Sequence, residues 1–256
     1  MQFDTITYSV TDGVATLTLN RPDVMNALSQ KLRQEMLCAV SHSAAAARVL
    51  VITGKGRAFC SGQDLSDAVA IDGLDLEKTL NDEYVPLLKA ITDSPIPVIS
   101  AVNGAAAGAG ANLALAADVV IACESASFIQ AFTRIGLVPD AGGSYWLPRQ
   151  IGLARSMGAM LFADRISARQ AADWGMIYEC VPDQDFASHV MARAQSLAAG
   201  PTVAYRGVKT ALRASFGNDL DTQLALEARL QGECGATADF REGVSAFVQK
   251  RPARFS

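Results

Sequence analysis

The chain opens on an alternation: Ile6, Tyr8 and Val10, then Ala15, Leu17 and Leu19, fall on every second position across residues 5–20. A period of two predicts a pair of antiparallel strands, and Asp12-Gly13 between them is a two-residue hairpin signal. After Arg21-Pro22 the period changes. Leu32, Met36, Ala39 and Val40 recur at helical spacing, and Ser29 stands ahead of them as an N-cap, so a helix with one buried face is expected. Residues 49–53 form an unbroken aliphatic and β-branched run ended by Gly54-Lys55-Gly56, the pattern of a strand covered on both faces. The same grammar then returns, with a strand at 97–102, a turn at Asn103-Gly104, a small-residue helix over 108–116 and a strand over 118–122.

Beyond Pro139 the strand signals thin. Helices are expected over 141–151, 155–163, 167–174, 186–199, 201–215, 220–233 and 239–250, with Ser167-x-x-Gln170 as a capping box and Gly175 as a stop. This is an α/β layout followed by a helical tail. With no low-complexity linker between them, a soft boundary near Gly200-Pro201 divides residues 1–200 from residues 201–256, and the tail is expected to pack rather than fold alone.

Composition narrows the function classes. The 256 residues carry 22 Lys+Arg against 26 Asp+Glu, a formal charge of −4, so no field exists that would gather nucleic acid or an anionic membrane. Half of the residues are apolar and 19% are charged, as in a compact globular protein. Five widely spaced cysteines without a Cys-x-x-Cys pair read as reduced thiols of a cytoplasmic protein, and the first ten residues lack the apolar core of a secretory signal. The apolar stretch 96–123 is interrupted by Asn103, Asn112 and Asp118 and reads as buried core, not as a membrane span.

Several familiar active sites are absent. No serine stands in a Gly-x-Ser-x-Gly elbow, Gly104, Gly108 and Gly110 miss the dinucleotide spacing because position 113 is Leu113, and no Gly-Lys-Ser/Thr exists for phosphates. The two histidines, His42 and His189, read as solvated helix residues, so no metal site is expected. Two glycine-bearing loops and one carboxylate remain. The loop from Arg57 to Leu65 follows a buried strand, and the segment from Asn103 to Asn112 leads into a helix. Small residues there let a ligand approach backbone N–H groups, so the two loops could form an oxyanion hole, or they could merely permit tight turns and close packing.

These residues resemble the enoyl-CoA hydratase/isomerase, or crotonase, superfamily. The resemblance rests on Leu19-Asn20-Arg21-Pro22, Asn26-Ala27-Leu28, Phe59-Cys60-Ser61-Gly62-Gln63-Asp64, the Asn103 to Asn112 segment, Gly136 to Gly143 and Trp174-Gly175-Met176-Ile177. It implies a crotonase (ClpP-like) spiral of ββα repeats, a helical C-terminal trimerisation region giving a homotrimer or a hexamer, and a coenzyme A thioester as substrate with no further cofactor. It places the oxyanion-hole N–H groups on Gln63 and Ala109, flanked by Gly62, Gly108 and Gly110. It also places the coenzyme A grip on Asp23, Val24 and Met25 and on Ser61, Gly62, Asp64 and Leu65, with Arg21, Lys55 and Arg57 as candidates for the phosphates.

The two glutamates by which hydratases resemble one another correspond here to Asn112 and Phe132, neither of which can exchange protons at neutral pH. Asp140 stands where related enoyl-CoA isomerases carry their acid/base carboxylate. From the sequence pattern alone Asp140 also fits a helix N-cap ahead of Ala141-Gly142-Gly143, which would lower its pKa, whereas burial beside Phe132 would raise it. The resemblance is closest to the bacterial 1,2-epoxyphenylacetyl-CoA isomerases of aerobic phenylacetate degradation, which share Gly62-Gln63-Asp64-Leu65, Gly108-Ala109-Gly110-Ala111, Leu137-Val138-Pro139-Asp140 and the tail segment from Arg241 to Phe247. It implies an isomerase that turns a ring epoxide into an oxepin, with Phe132, Tyr145 and Trp146 as candidates for an aromatic pocket. The alternatives are a linear Δ3,Δ2-enoyl-CoA isomerase or hydratase of β-oxidation, and a non-catalytic binding protein of the same fold.

Overall fold

The computed structural model describes residues 2–64 and 75–256. The opening alternation forms β1 (Ile6–Thr11) and β2 (Val14–Leu19), paired antiparallel with Thr11 opposite Val14. Asp12 and Gly13 both take positive φ, 50° and 77°, the turn whose twist matches the strands it joins. Helix α1 (Gln30–Ala46) starts where expected, with the Leu32 N–H donating to Ser29 Oγ at 3.3 Å.

From there the chain repeats one unit. β3 (Val49–Gly54) is followed by β4 (Ala58–Cys60), β5 (Val98–Val102) by β6 (Ala105–Ala107), and β7 (Val119–Cys123) by β8 (Ser127–Ile129). The first strand of each pair joins a six-stranded sheet ordered β1-β2-β3-β5-β7-β10, where β10 is Glu179–Val181, and the second joins a four-stranded sheet ordered β4-β6-β8-β9, where β9 is Ile166–Ser167. Each repeat therefore moves one strand over in both sheets at once, which makes the backbone a spiral. The helices between repeats are α2 (Leu76–Thr79), which runs through a π turn at Leu80–Tyr84 into α3 (Val85–Thr92), and α4 (Ala109–Leu115).

The smaller sheet corrects the expected layout. The residues read as loops after β3 and β5 each contain a three-residue strand, too short to show a period. The helices α2 and α3 and the strand β10 also had no counterpart in the sequence pattern. By contrast β3 is covered on both faces as its unbroken apolar run implies: Leu50 and Ile52 face the cluster built with Leu32 and Met36, and Val49 and Val51 face the one built with Val190, Ala194 and Ala198. The latter three lie on α7 (Phe186–Ala198).

The expected helices at 141–151 and 155–163 are one element, α5 (Gly143–Phe162), interrupted at Gly152 where φ is 77°. α6 (Ala168–Asp173) is capped by Ser167, which accepts from Gln170 N at 3.1 Å. The tail supplies α8 (Thr202–Ala214), α9 (Leu220–Gly235) and α10 (Ala238–Gln249). Among the described residues no helix is long and apolar enough to cross a membrane, and the stretch 96–123 is β5, β6, α4 and β7.

One buried charge cluster ties the tail to the sheet. Asp118 accepts from Val98 N at 2.8 Å and pairs with Lys209 at 2.6 Å and Arg213 at 2.7 Å, while Lys209 Nζ also donates to Ile96 O. Burial pushes the Asp118 carboxyl up and the Lys209 ammonium down, so each ion is held by its partner rather than by water. Asp118→Ala leaves Lys209 buried without a counter-charge and is expected to cost about 3 kcal/mol in urea unfolding. A loss below about 1 kcal/mol would mean that the pair contributes as little as a surface ion pair.

Candidate active site

The site forms where the two sheets' repeats meet. β4 and β6 lie parallel, and the chain leaves β4 through Ser61-Gly62-Gln63 and β6 through Gly108 into α4. No side chain separates these exits. A Cβ on Gly62 would lie 2.8 Å from Ala107 O and 3.5 Å from Ala109 N, and one on Gly110 would lie 2.4 Å from Cys60 O. Gly62 further holds φ at +95°, which an L side chain rarely adopts. The glycines thus permit close packing, and that packing is between the two loops.

The contact aims backbone donors. Gln63 bridges Leu28 in parallel fashion, with Leu28 N donating to Gly62 O at 2.8 Å and Asp64 N donating to Leu28 O at 3.3 Å. Those bonds use one edge of the segment, so the Gln63 N–H projects from the other edge. Ala109 is the first residue of α4, where an N–H has no carbonyl one turn earlier to accept it, and the first α4 bond runs from Asn112 N to Gly108 O at 3.2 Å.

The side chain of Gln63 is fixed from behind by a network the sequence pattern did not reveal. Its Oε1 accepts from Tyr84 Oη and, at 3.1 Å, from Arg33, whose guanidinium is held by Glu83 at 2.6 and 2.9 Å and lies over the Tyr84 ring. Arg33 is buried on the apolar face of α1. A lone arginine beside Leu32 on a core face was the available signal, but its partners lie 30 and 50 residues away. Burial pushes the Tyr84 hydroxyl far up; Cys60 and Asp140 act in the same sense and Arg33 opposes them. The Cys60 thiol is pushed up to about 12 by burial, so it is neutral and no nucleophile.

Asp140 is not a helix cap. The N-cap of α5 is Gly142 and no side chain caps that end. Ala141 and Gly142, between Asp140 and the helix, take φ of 48° and 82°, and Asp140 Oδ1 is buried without a hydrogen-bond partner. Burial accordingly wins over capping and lifts the carboxyl to about 6, against a smaller pull from its own main-chain N–H. Phe132 is buried, and its ring edge lies 3.8 Å from where a Gly108 Cβ would be.

The turn Asp23, Val24, Met25 sits against the first loop: Ser61 N donates to Met25 O at 3.0 Å and Ser61 Oγ to Val24 O at 3.3 Å. Asn26 locks that turn from inside, accepting from Arg21 N and donating to Lys55 O and Ala58 O. Two of the expected ligand contacts, Asp64 and Asn112, make internal bonds. Asp64 is buried and ion-paired with Arg21 at 2.6 Å, while Lys55 and Arg57 are exposed. Asn112 is fully buried, and its amide bonds Asp140 O and Gln130. Leu65 lies outside the described residues. Tyr145 and Trp146 line a groove against α8 with Leu212 and Phe216, and Trp146 also packs against the core cluster that includes Phe132.

A family model described as enoyl-CoA hydratase/isomerase matches residues 9–256. The chain belongs to the enoyl-CoA hydratase/isomerase family. It is 60% identical to a Rhodobacter capsulatus protein described as "probable enoyl-CoA hydratase", over 100% of this chain and 99% of that one. It is 44% identical to the 1,2-epoxyphenylacetyl-CoA isomerase of Escherichia coli K12, over 96% of each. The enoyl-CoA hydratase of Bacillus anthracis superposes with a TM-score of 0.92 at 32% identity, covering 98% of this chain and 99% of that chain. The two-sheet spiral is the crotonase fold of this hydratase/isomerase family.

Proposed function

We propose that the protein is an acyl-CoA isomerase in which Asp140 shuttles a proton between two carbons of a CoA thioester. The observation that carries this reading is a half-buried carboxylate held near 6, whose Oδ1 has no hydrogen-bond partner, beside two glycine-joined loops with outward N–H groups and without a second acid at Asn112 or Phe132. Asp140 takes a proton from a carbon next to the thioester system, breaking that C–H bond as its electron pair moves toward the thioester oxygen. The Gln63 and Ala109 N–H groups stabilise the enolate oxygen. Asp140 then returns the proton to another carbon on the same face, so the carboxylate is regenerated and no water is consumed.

The ring epoxide 2-(1,2-epoxy-1,2-dihydrophenyl)acetyl-CoA, opened to an oxepin in phenylacetate catabolism, is the substrate favoured by the 44% identity to the Escherichia coli isomerase and by the Phe132 ring over Gly108. The coenzyme A portion would follow the Asp23 to Met25 turn and Ser61. Exposed apolar residues on the tail, among them Leu212, Phe216, Leu220 and Phe247, support a homotrimer or a dimer of trimers. Five unpaired cysteines support a cytoplasmic setting. Hydration remains the second reading because of the 60% identical relative's description.

The test offers the protein a 3-enoyl-CoA in D2O, with crotonyl-CoA as a hydration arm and the ring epoxide as a third. Deuterium exchange and double-bond migration are expected, with hydration slower by about 100-fold or more for want of a second acid. Hydration at a comparable rate would overturn the reading, and oxepin formation no faster than linear isomerisation would remove the ring-epoxide assignment.

A further inference from the structure

The place at which hydratases carry one of their acids holds a strut in this chain. Asn112 lies in the first turn of α4, three residues beyond Ala109, and is 0% exposed. Its Nδ2 donates to the main-chain carbonyl of Asp140 at 2.8 Å, and its Oδ1 accepts from Gln130 Nε2 at 2.8 Å. Gln130 is itself 1% exposed. Because a donor occupies Oδ1, the amide has one orientation, with its N–H toward Asp140. Asp140 O also accepts from Gly143 N at 2.9 Å, so both lone pairs of that carbonyl are used. The fit leaves no slack: a Cβ on Gly143 would lie 2.3 Å from Asn112 Nδ2.

We infer that Asn112, oriented by Gln130, is a positioning residue that sets where the Asp140 carboxylate stands relative to the oxyanion donors. This rests on the shuttle reading of Asp140 given above. One helical turn carries both the Ala109 N–H and the amide that holds Asp140, so α4 works as a fixed spacer between the enolate oxygen's donor and the base. A spacer is needed because Asp140 is followed by Ala141 at φ 48°, a conformation that a non-glycine residue keeps only where its surroundings impose it. An amide suits the duty better than an acid. An ionised carboxylate at this position has no proton for the Asp140 carbonyl, whereas the amide donates at every pH.

The experiment compares kcat, KM and the pH dependence of exchange for Asn112→Ala, Asn112→Asp, Gln130→Ala and Asp140→Asn. Asn112→Ala is expected to lower kcat on the order of 10- to 100-fold, by misplacing the base, with KM changed less than about threefold and the midpoint of the rising pH limb displaced. In Asn112→Asp the protonated acid still donates to the carbonyl, so activity relative to wild type is expected to be highest at low pH and to fall as that acid ionises. A purely structural role would lower the melting temperature and leave kcat and the pH limb of the folded enzyme unchanged, and that result overturns the proposal. Should Asn112→Ala not fold, Gln130→Ala, which frees the amide without removing it, decides the matter by the same kcat and pH readouts. Asp140→Asn separates the two levels. If it retains activity, the shuttle fails and the positioning role with it; if it is inactive while both other sites tolerate replacement, only the positioning role is lost.

Discussion

Asp140→Asn is expected to cut isomerisation and α-deuterium exchange by about 1,000-fold or more, since the shuttle's only proton-transfer group is lost, while making the folded protein more stable at neutral pH. The two effects share one cause. Asp140 Oδ1 is buried without a partner, and burial raises the carboxyl from 3.8 to about 6. An acid whose folded pKa exceeds its unfolded one favours folding fully below about pH 4 and loses that contribution as pH rises through about 6. Wild-type stability therefore falls across that window from this group alone, and at pH 7 the ionised carboxylate costs roughly 1 to 2 kcal/mol after allowance for its partial exposure to solvent. Asparagine has no ionised form, so the variant lacks the slope. Urea titrations of both proteins at pH 4 and pH 7 check this: the stability difference between them should be larger at pH 7.

The same carboxylate, as the proposed base, is expected to set the pH dependence of catalysis. kcat/KM for the free enzyme is expected to rise as Asp140 ionises, with a midpoint near 6. A midpoint near 4 would place the carboxylate in contact with water or a cation, and the account of a desolvated base would fall. A proposed base that destabilises its own fold when ionised would be a familiar trade between stability and activity.

How much of this was legible in the sequence depends on whether the signal was local. The opening hairpin, the Ser29 cap and the two-faced strand at 49–54 were readable because period and turn chemistry are written within a few adjacent residues. The four-stranded sheet was not, since strands such as Ala105–Ala107 have neither length nor β-branched residues to announce them. The candidate oxyanion donors are main-chain groups, so only the flanking glycines could mark them, and Gly62 and Gly110 did so without revealing that they face each other. Asp140 shows the limit most plainly. That it is no cap follows from positive φ at Ala141 and Gly142, a property of the folded turn, and its main-chain carbonyl is held by an amide 28 residues away on another helix. The Arg33, Glu83, Tyr84 and Gln63 network lies at the same kind of distance, joined by the spiral rather than by the chain.

Gly110→Ala is the second large effect expected, with a loss of about 100-fold or more in kcat, comparable to removing one oxyanion donor. The added methyl would stand 2.4 Å from Cys60 O and 2.7 Å from Cys60 Sγ, distances at which something must move. Cys60 is fully buried in β4 and paired with Ala106 of β6, so the flexible partner that could yield is missing. α4 and the end of β4 must separate. Ala109 precedes the substituted residue and Gln63 follows Cys60 by three positions, so that separation parts the two N–H groups meant to share one oxygen. The expected cost in stability is about 1 to 3 kcal/mol, as for overpacking elsewhere in a core. Gly232→Ala supplies the contrast: it lies in α9, and nothing beyond its own stretch of helix comes within 4 Å of its added Cβ, so activity should be unchanged and helix propensity should favour the variant by about 0.5 to 1 kcal/mol. Chemical denaturation separates misfolding from misalignment, because the folded fraction of Gly110→Ala should still bind a saturated acyl-CoA while failing to exchange its α-proton. A folded Gly110→Ala enzyme exchanging at the wild-type rate would mean that the contact between the two loops does not set the oxyanion geometry, and the donors would have to be sought elsewhere on the spiral.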